Sequence, residues 1–384
     1  MRRTCAATVS QSCGLGVARV RRHTIVDQRS APSPGSVPAS RDAREPLAFA
    51  RDIISRVSRT FAIGISVLPG DLGRAVLVGY LLCRIADTVE DDGSATAARR
   101  QELLARFLEC FDDRAKAATF SAASADINAD PNYLELLRGT ELVFDLLYSL
   151  PSATVVIVER WVREMTVGMS EFVGRYPSGI RIQTMPEYKR YCYYVAGTVG
   201  HLLTDLWYAQ SPLVGKRRYE RLLVNCEAFG EALQTVNIIK DIAWDIEHEN
   251  AAFVPEDILL RRGSSHATML ANEQRTANRE ALLDLVALAH EDIRKSLDYF
   301  SALPKFAPQI RLFCLLPVLF AVATLREIER STAMLQSGGV VKITRGEVRS
   351  LILAGSLSMI SNKTTRWLVS KTSRQRFRLG LARP

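Results

Sequence analysis

Residues 80–92 read Tyr80-Leu-Leu-Cys-Arg84-Ile-Ala-Asp87-Thr-Val-Glu90-Asp91-Asp92, and residues 237–247 read Asn237-Ile-Ile-Lys240-Asp241-Ile-Ala-Trp244-Asp245-Ile-Glu247. In each stretch two aspartates stand four apart at the end of an apolar helical run, which places both on one helix face. Like charges at that spacing disfavour a helix by about 0.2–0.5 kcal/mol. Each pair also has a base close by: Arg84 three residues before Asp87, and Lys240 directly before Asp241. Two solvated helix ends would be the plain explanation, and one such pair alone would not displace it. Two pairs about 150 residues apart, each with its base, favour a hard divalent cation. Mg²⁺ takes carboxylate oxygens and keeps positions open for water and substrate phosphates. Facing each other, the two ends would hold Mg²⁺ and a diphosphate between them. Arg84, Lys240 and Arg59 would then bind phosphate oxygens, and the metal would stabilise charge on a departing diphosphate.

Working outward, apolar residues recur every three or four positions from about residue 48 onward. The spacing predicts helices near 48–64, 71–92, 97–119, 132–149, 152–175, 186–209, 216–247, 271–301, 308–335 and 344–371. No segment alternates with period two, so the fold class is all-α, about ten helices in a single domain. The most apolar run, Leu312–Leu325, is fourteen residues long between Arg311 and Arg326 and contains Pro317. A bilayer span needs roughly 20 residues, so this run reads as a buried core helix.

The chain has 384 residues, 47% hydrophobic and 24% charged, which excludes wholesale disorder and collagen-like or coiled-coil repeats. The net charge of +9 sits at the ends: residues 1–45 carry eight Arg against three acids, and seven bases without an acid follow from Lys363. The body between them is net acidic, so the basic pI implies no nucleic-acid partner. Residues 1–45, with the Ser30–Ser40 stretch SAPSPGSVPAS, read as a disordered or targeting extension, 46–361 as the catalytic domain and 362–384 as a basic tail. That tail suits either an anionic lipid surface or a solvated helix end. The seven cysteines show no CxxC spacing and fit reduced thiols, and the expected setting is a cytoplasmic monomer with peripheral membrane contact, or an imported organellar protein.

A third cluster, Tyr188-Lys-Arg-Tyr191-Cys-Tyr193-Tyr194-Val-Ala196-Gly197-Thr-Val-Gly200, crowds tyrosines before small residues. Ala196, Gly197 and Gly200 make room either for a ligand chain or for close helix packing. Aromatic faces stabilise passing carbocations, and a phenol exchanges protons.

With these segments in order, the chain resembles the squalene/phytoene synthase family of head-to-head prenyl transferases, on its squalene synthase side. The resemblance runs from about residue 52 to 360, through Ser58-Arg59-Thr60-Phe61-Ala62, Tyr80–Asp92, Val167–Phe172, Tyr191–Gly200, Gln234–Asp245, Phe313–Pro317 with Ala323–Leu325, and Val341–Glu347. It implies an isoprenoid synthase fold that joins two farnesyl diphosphates through presqualene diphosphate, with Mg²⁺ and NADPH as cofactors. By the resemblance Asp87, Glu90, Asp91, Asp241 and Asp245 would bind Mg²⁺. Ser58, Arg59, Phe61, Arg84, Gln234, Asn237 and Lys240 would bind substrate, Tyr80 and Tyr191 would assist ionisation or proton removal, and Phe313, Cys314 and Pro317 would line the later part of the cavity.

The chain departs from the family after the second motif, where Ile246-Glu-His-Glu-Asn250-Ala-Ala lacks the expected base. Trp244 replaces a frequent acid, leaving Glu247 or Glu249 to compensate, and His201 and Asp205 add unexpected polarity. These departures bear on the reductive step. They leave open a product that stops at presqualene diphosphate, dehydrosqualene or another terpene. A non-catalytic scaffold with the same fold is the alternative from another class.

Overall fold

The computed structural model describes residues 45–378. The extension expected over residues 1–45 lies outside them, apart from Glu45. The described residues form helices joined by loops, with no strand among them and one isolated bridge between Arg181 and Ala252. Their apolar faces merge into one continuous core.

Several helices expected to be continuous are broken at local signals. Ser58 turns into extended backbone and caps the Arg59–Ser66 helix, its hydroxyl accepting from Phe61 N, so 48–64 becomes two helices. A π-helical stretch, Tyr193–Gly197, interrupts 186–209 between Met185–Cys192 and Thr198–Gln210. Such stretches recur at functional sites. The basic segment set apart from residue 362 is folded as far as it is described: Asn362–Arg374 is a helix with Thr365, Leu368, Val369 and Thr372 buried.

The Cys226–His248 helix is central, packed on Arg275–Ala302, Thr198–Gln210 and Pro308–Glu329. Gly70–Glu90 packs on Ser152–Arg175 and Thr198–Gln210. Pro308–Glu329, which holds the Leu312–Leu325 run, has 72% of its most apolar window buried and is a core helix. Two buried arginines fasten the C-terminal layer to it. Arg311 donates to Phe300 O, Leu303 O and Asn362 Oδ1. Arg326 donates two parallel hydrogen bonds to the Glu347 carboxylate, at 2.8 and 2.9 Å, and also donates to Thr372 O and Gln375 O.

Candidate active site

Between these helices lies a cavity of about 540 Å³, within the usual size range of small-ligand sites. Its walls are apolar along most of their length: Phe61 and Ile65, Val76, Met165, Val195, Ala196 and Val199, Leu202 and Leu203, Phe313, Pro317 and Phe320, Val341, Ile343 and Val348. Polar groups collect from two helices, Tyr80, Arg84 and Asp87 from Gly70–Glu90, and Gln234, Asn237 and Lys240 from Cys226–His248. Among the described residues, the bases on the lining are Arg84, Lys240 and Lys342.

The first acidic motif forms a tight group: ligand oxygens of Asp87, Glu90 and Asp91 all lie within 4.8 Å of one another. Asp87 is ion-paired with Arg84. Glu90 is 2% exposed, and neither of its oxygens has a hydrogen-bond partner. A buried carboxylate without a partner is costly as an anion, and burial, followed by the Asp87 charge, raises its pKa to about 8. Asp91 is raised by the same causes. Three convergent carboxylates, one with both oxygens free, fit a divalent cation. The next acid, Asp92, does different work: its carboxylate accepts from Ser94 N, Ala95 N and Asn128 N and shapes the turn.

The second motif faces the first rather than joining the tight group. Lys240 and Asp241 are paired at 2.6 Å. Asp245 is buried and raised to about 9 by burial, then by Glu249 and Asp241. Glu249 completes the ring. It follows Asp245 by four residues and is raised to about 7 by burial, then by Asp87 and Asp241, so it lies in the field of both motifs. Of the two compensating acids, Glu247 instead accepts from Gly338 N and holds a loop. Trp244 is exposed and stacks on His248 at 3.9 Å. The i, i+4, i+8 spacing of Asp241, Asp245 and Glu249 was the signal for the third acid.

Other expected site residues divide in two groups. Ser58, Phe61, Tyr80, Arg84, Asp87, Gln234, Asn237, Lys240, Ala196, Phe313 and Pro317 line the cavity. Arg59, Tyr191, Gly197, Gly200 and Cys314 do not line it. Arg59 is exposed, because Ser58 as helix cap turns the following residue outward. Tyr191 is 3% exposed, stacked on Phe253 at 4.9 Å and edge-on to Phe172, with its phenol beside Glu90 on the far side of the acids. Cys314 is wholly buried, one position round the helix from Phe313. Gly200 serves packing: a Cβ there would stand 1.9 Å from Cys226 O, and one on Gly230 would stand 2.0 Å from Ala196 O. Two helices therefore cross at backbone contact.

The polar departures lie off the cavity. Asp205 accepts from Trp161 Nε1 at 2.8 Å and Tyr219 OH at 2.7 Å, and His201 stacks on Trp161 and bonds Glu227 at 2.8 Å. The altered segment after the second motif is pinned. Asn250, at φ 50°, accepts from Arg181 through Oδ1 and donates to Ser178 O. Arg100, which no sequence signal marked, is buried and donates to Glu90 O at 2.8 Å, fixing the helix end that carries the acids.

Comparison with known proteins gives the same picture. The squalene/phytoene synthase family matches residues 54–347. Botryococcus squalene synthase of Botryococcus braunii is 30% identical over 328 residues, covering 82% of this chain and 65% of that protein. Squalene synthase of Schizosaccharomyces pombe is 29% identical over 305 residues, covering 78% of this chain and 63% of that protein. The chain thus spans slightly less than two thirds of these relatives' length. Among solved structures, the complex of TcSQS with the ligand BPH1237 superposes with a TM-score of 0.71 at 26% identity, over 86% of this chain and 98% of that one. Matching sequence over most of the body, and a matching helical frame around the cavity, lead to one conclusion: the chain belongs to the squalene/phytoene synthase family and has its all-α isoprenoid synthase fold.

Proposed function

We propose that this protein, as a monomer, joins two farnesyl diphosphates head to head through presqualene diphosphate in a Mg²⁺-dependent reaction, releasing one diphosphate, and that loss of the second diphosphate with a hydride from NADPH gives squalene. The observation that carries this reading is a cavity that is apolar along most of its wall and polar where Asp87, Arg84 and Lys240 converge. A prenyl diphosphate has the same division.

Asp87, Glu90 and Asp91 would hold Mg²⁺, with Asp241, Asp245 and Glu249 opposite. Bound there, the metal would stabilise negative charge on the leaving diphosphate. Arg84 and Lys240 are each kept at the cavity by a carboxylate, and phosphate oxygens would take over those contacts. Tyr80 packs against Phe61 with ring centroids 5.1 Å apart, giving a developing allylic cation an aromatic face. Tyr191, its phenol pushed up by burial and the nearby acids, keeps its proton and would stabilise Glu90 rather than act as a base. The apolar wall excludes water, which would otherwise trap the cation as an alcohol.

The relatives named squalene synthase support squalene as the product, and NADPH as its reductant is what the family resemblance implies. The segment after the second motif supplies no Lys or Arg to a dinucleotide phosphate, and Asn250 is taken up by Arg181. That pinned, base-free segment favours a second reading, in which the reaction ends at presqualene diphosphate, dehydrosqualene or another terpene. The scaffold alternative leaves the convergent carboxylates of Asp87, Glu90 and Asp91 without a purpose.

The test is to incubate the full chain with farnesyl diphosphate and Mg²⁺, with and without NADPH, and identify products by mass spectrometry. Squalene only with NADPH is the expected result. One unreduced product in both tubes selects the second reading, and unreacted substrate in both overturns the catalytic reading.

A further inference from the structure

The helices Arg345–Ser358 and Asn362–Arg374 pack side by side and both lie on Pro308–Glu329. Leu351, Ala354 and Gly355 of the first, and Thr365, Leu368 and Val369 of the second, are their buried faces. Half a turn round, each presents a stripe to solvent at helical spacing: Arg349, Leu353 and Leu357, continued by Ile360, on the first, and Lys363, Trp367 and Arg374 with half-buried Lys371 on the second. Because both buried faces meet the same underlying helix, both stripes belong to the outer surface of one layer. Leu357 is 70% exposed, and Ile360 and Trp367 are each 59% exposed. Phe306, at 88%, lies on the loop that Arg311 ties to the turn between the two helices, by donating to Leu303 O at 3.0 Å and Asn362 Oδ1 at 2.6 Å. Large apolar side chains gathered this way mark an interaction surface.

The charge of this surface has one sign. Between Arg345 and Arg378 there are eight bases and one acid, Glu347, which is buried against Arg326. Arg366 and Arg376 pair with Asp298 and Glu327. The other six form no ion pair among the described residues, and Lys371 lies over the Trp367 ring at 5.0 Å.

We propose that this two-helix layer seats on an anionic lipid bilayer, with Phe306, Leu357, Ile360 and Trp367 entering the headgroup boundary and Lys363, Lys371 and Arg374 meeting lipid phosphates. Basic side chains flanking aliphatic residues and a tryptophan are the composition of a helix lying in that interface. Leu353, Leu357 and Ile360 are aliphatic and offer a nucleic acid nothing to stack on, which leaves only Trp367 and Phe306 of this surface for that use. Val348, early in the first of these helices, lines the cavity, so the layer connects the apolar cavity wall to the outer face. The binding surface stands independently of the reaction proposed above.

The test is co-sedimentation of the full 384-residue chain with vesicles of phosphatidylcholine, alone or mixed with phosphatidylglycerol, for the wild type and for Leu357→Glu with Trp367→Glu. Both positions are exposed, so the variant keeps the wild-type thermal midpoint, which is measured in parallel. The expected result is binding to the mixed vesicles, weakened by salt and about tenfold or more weaker in the double variant. Undiminished binding by the variant, through the arginines before residue 45 for instance, overturns the proposal. Equal binding to both vesicle types also overturns it, as does a dimer in sedimentation velocity that the variant abolishes while vesicles go unbound.

Discussion

A Cβ placed on Gly93 would stand 2.7 Å from the carbonyl oxygen of Glu249. Gly93 follows the first acidic motif and Glu249 ends the second, so backbone contact between these residues sets how closely the two carboxylate sets approach. Replacing Gly93 with Ala forces the helix ends apart. Gly93→Ala is expected to lower the Mg²⁺-induced rise in unfolding temperature and to cut turnover about tenfold or more. Gly215→Ala, with nothing within 4 Å of its added Cβ, is the control and leaves both unchanged.

Asp87 belongs to the tight acidic trio and lines the cavity. Asp87→Asn and Glu90→Gln remove charge with little change of shape. Each is expected to reduce diphosphate release by about 100-fold or more and to abolish most of the stabilisation by Mg²⁺. Calorimetric titration of Mg²⁺ separates loss of the metal from loss of the fold.

Burial holds protons on Glu90 to about pH 8, on Asp245 to about 9 and on Glu249 to about 7. In the unfolded chain these carboxyls lose their protons near pH 4 (roughly 3.9 for Asp and 4.3 for Glu). The folded state therefore binds more protons across the window between, and stability without metal falls as pH rises from about 4 to about 9. Denaturant midpoints measured in chelator at pH 5 and pH 8 check this, the second being lower. Because Mg²⁺ displaces those protons, its stabilising effect is greater at pH 8 than at pH 6.

Arg326 and Glu347 are buried together, 1% and 2% exposed at their side chains. Arg326→Met strands the carboxylate and is expected to cost about 3–5 kcal/mol in equilibrium unfolding, most of it regained by adding Glu347→Leu. Since Arg326 also caps Thr372 O and Gln375 O, the single variant frees the last helix to proteolysis first.

Gly200→Ala tests packing against ligand binding at the small-residue cluster. Its Cβ would collide with Cys226 O at 1.9 Å, so a loss of about 1–3 kcal/mol in stability is expected. The Michaelis constant of the variant that still folds stays near that of the wild type.

The helical class was legible in the residues alone, because apolar spacing is a property of each segment, and so were the paired aspartates, because i and i+4 share a face on any helix. The sequence also marked Arg84 and Lys240, whose place follows from those pairs. Tertiary structure decided what depends on which helix faces which. Glu247 and Glu249 are two residues apart and chemically alike. One reaches Gly338 and the other completes the acidic ring, because two residues on a helix point about 200° apart and only the crossing with Gly70–Glu90 gives one direction its meaning. Tyr191 packs behind the acids rather than in the cavity, Arg59 turns outward past its capping serine, and Gly200 meets backbone instead of ligand. Each outcome is set by contacts across long sequence separations, and local periodicity holds no information about those distances.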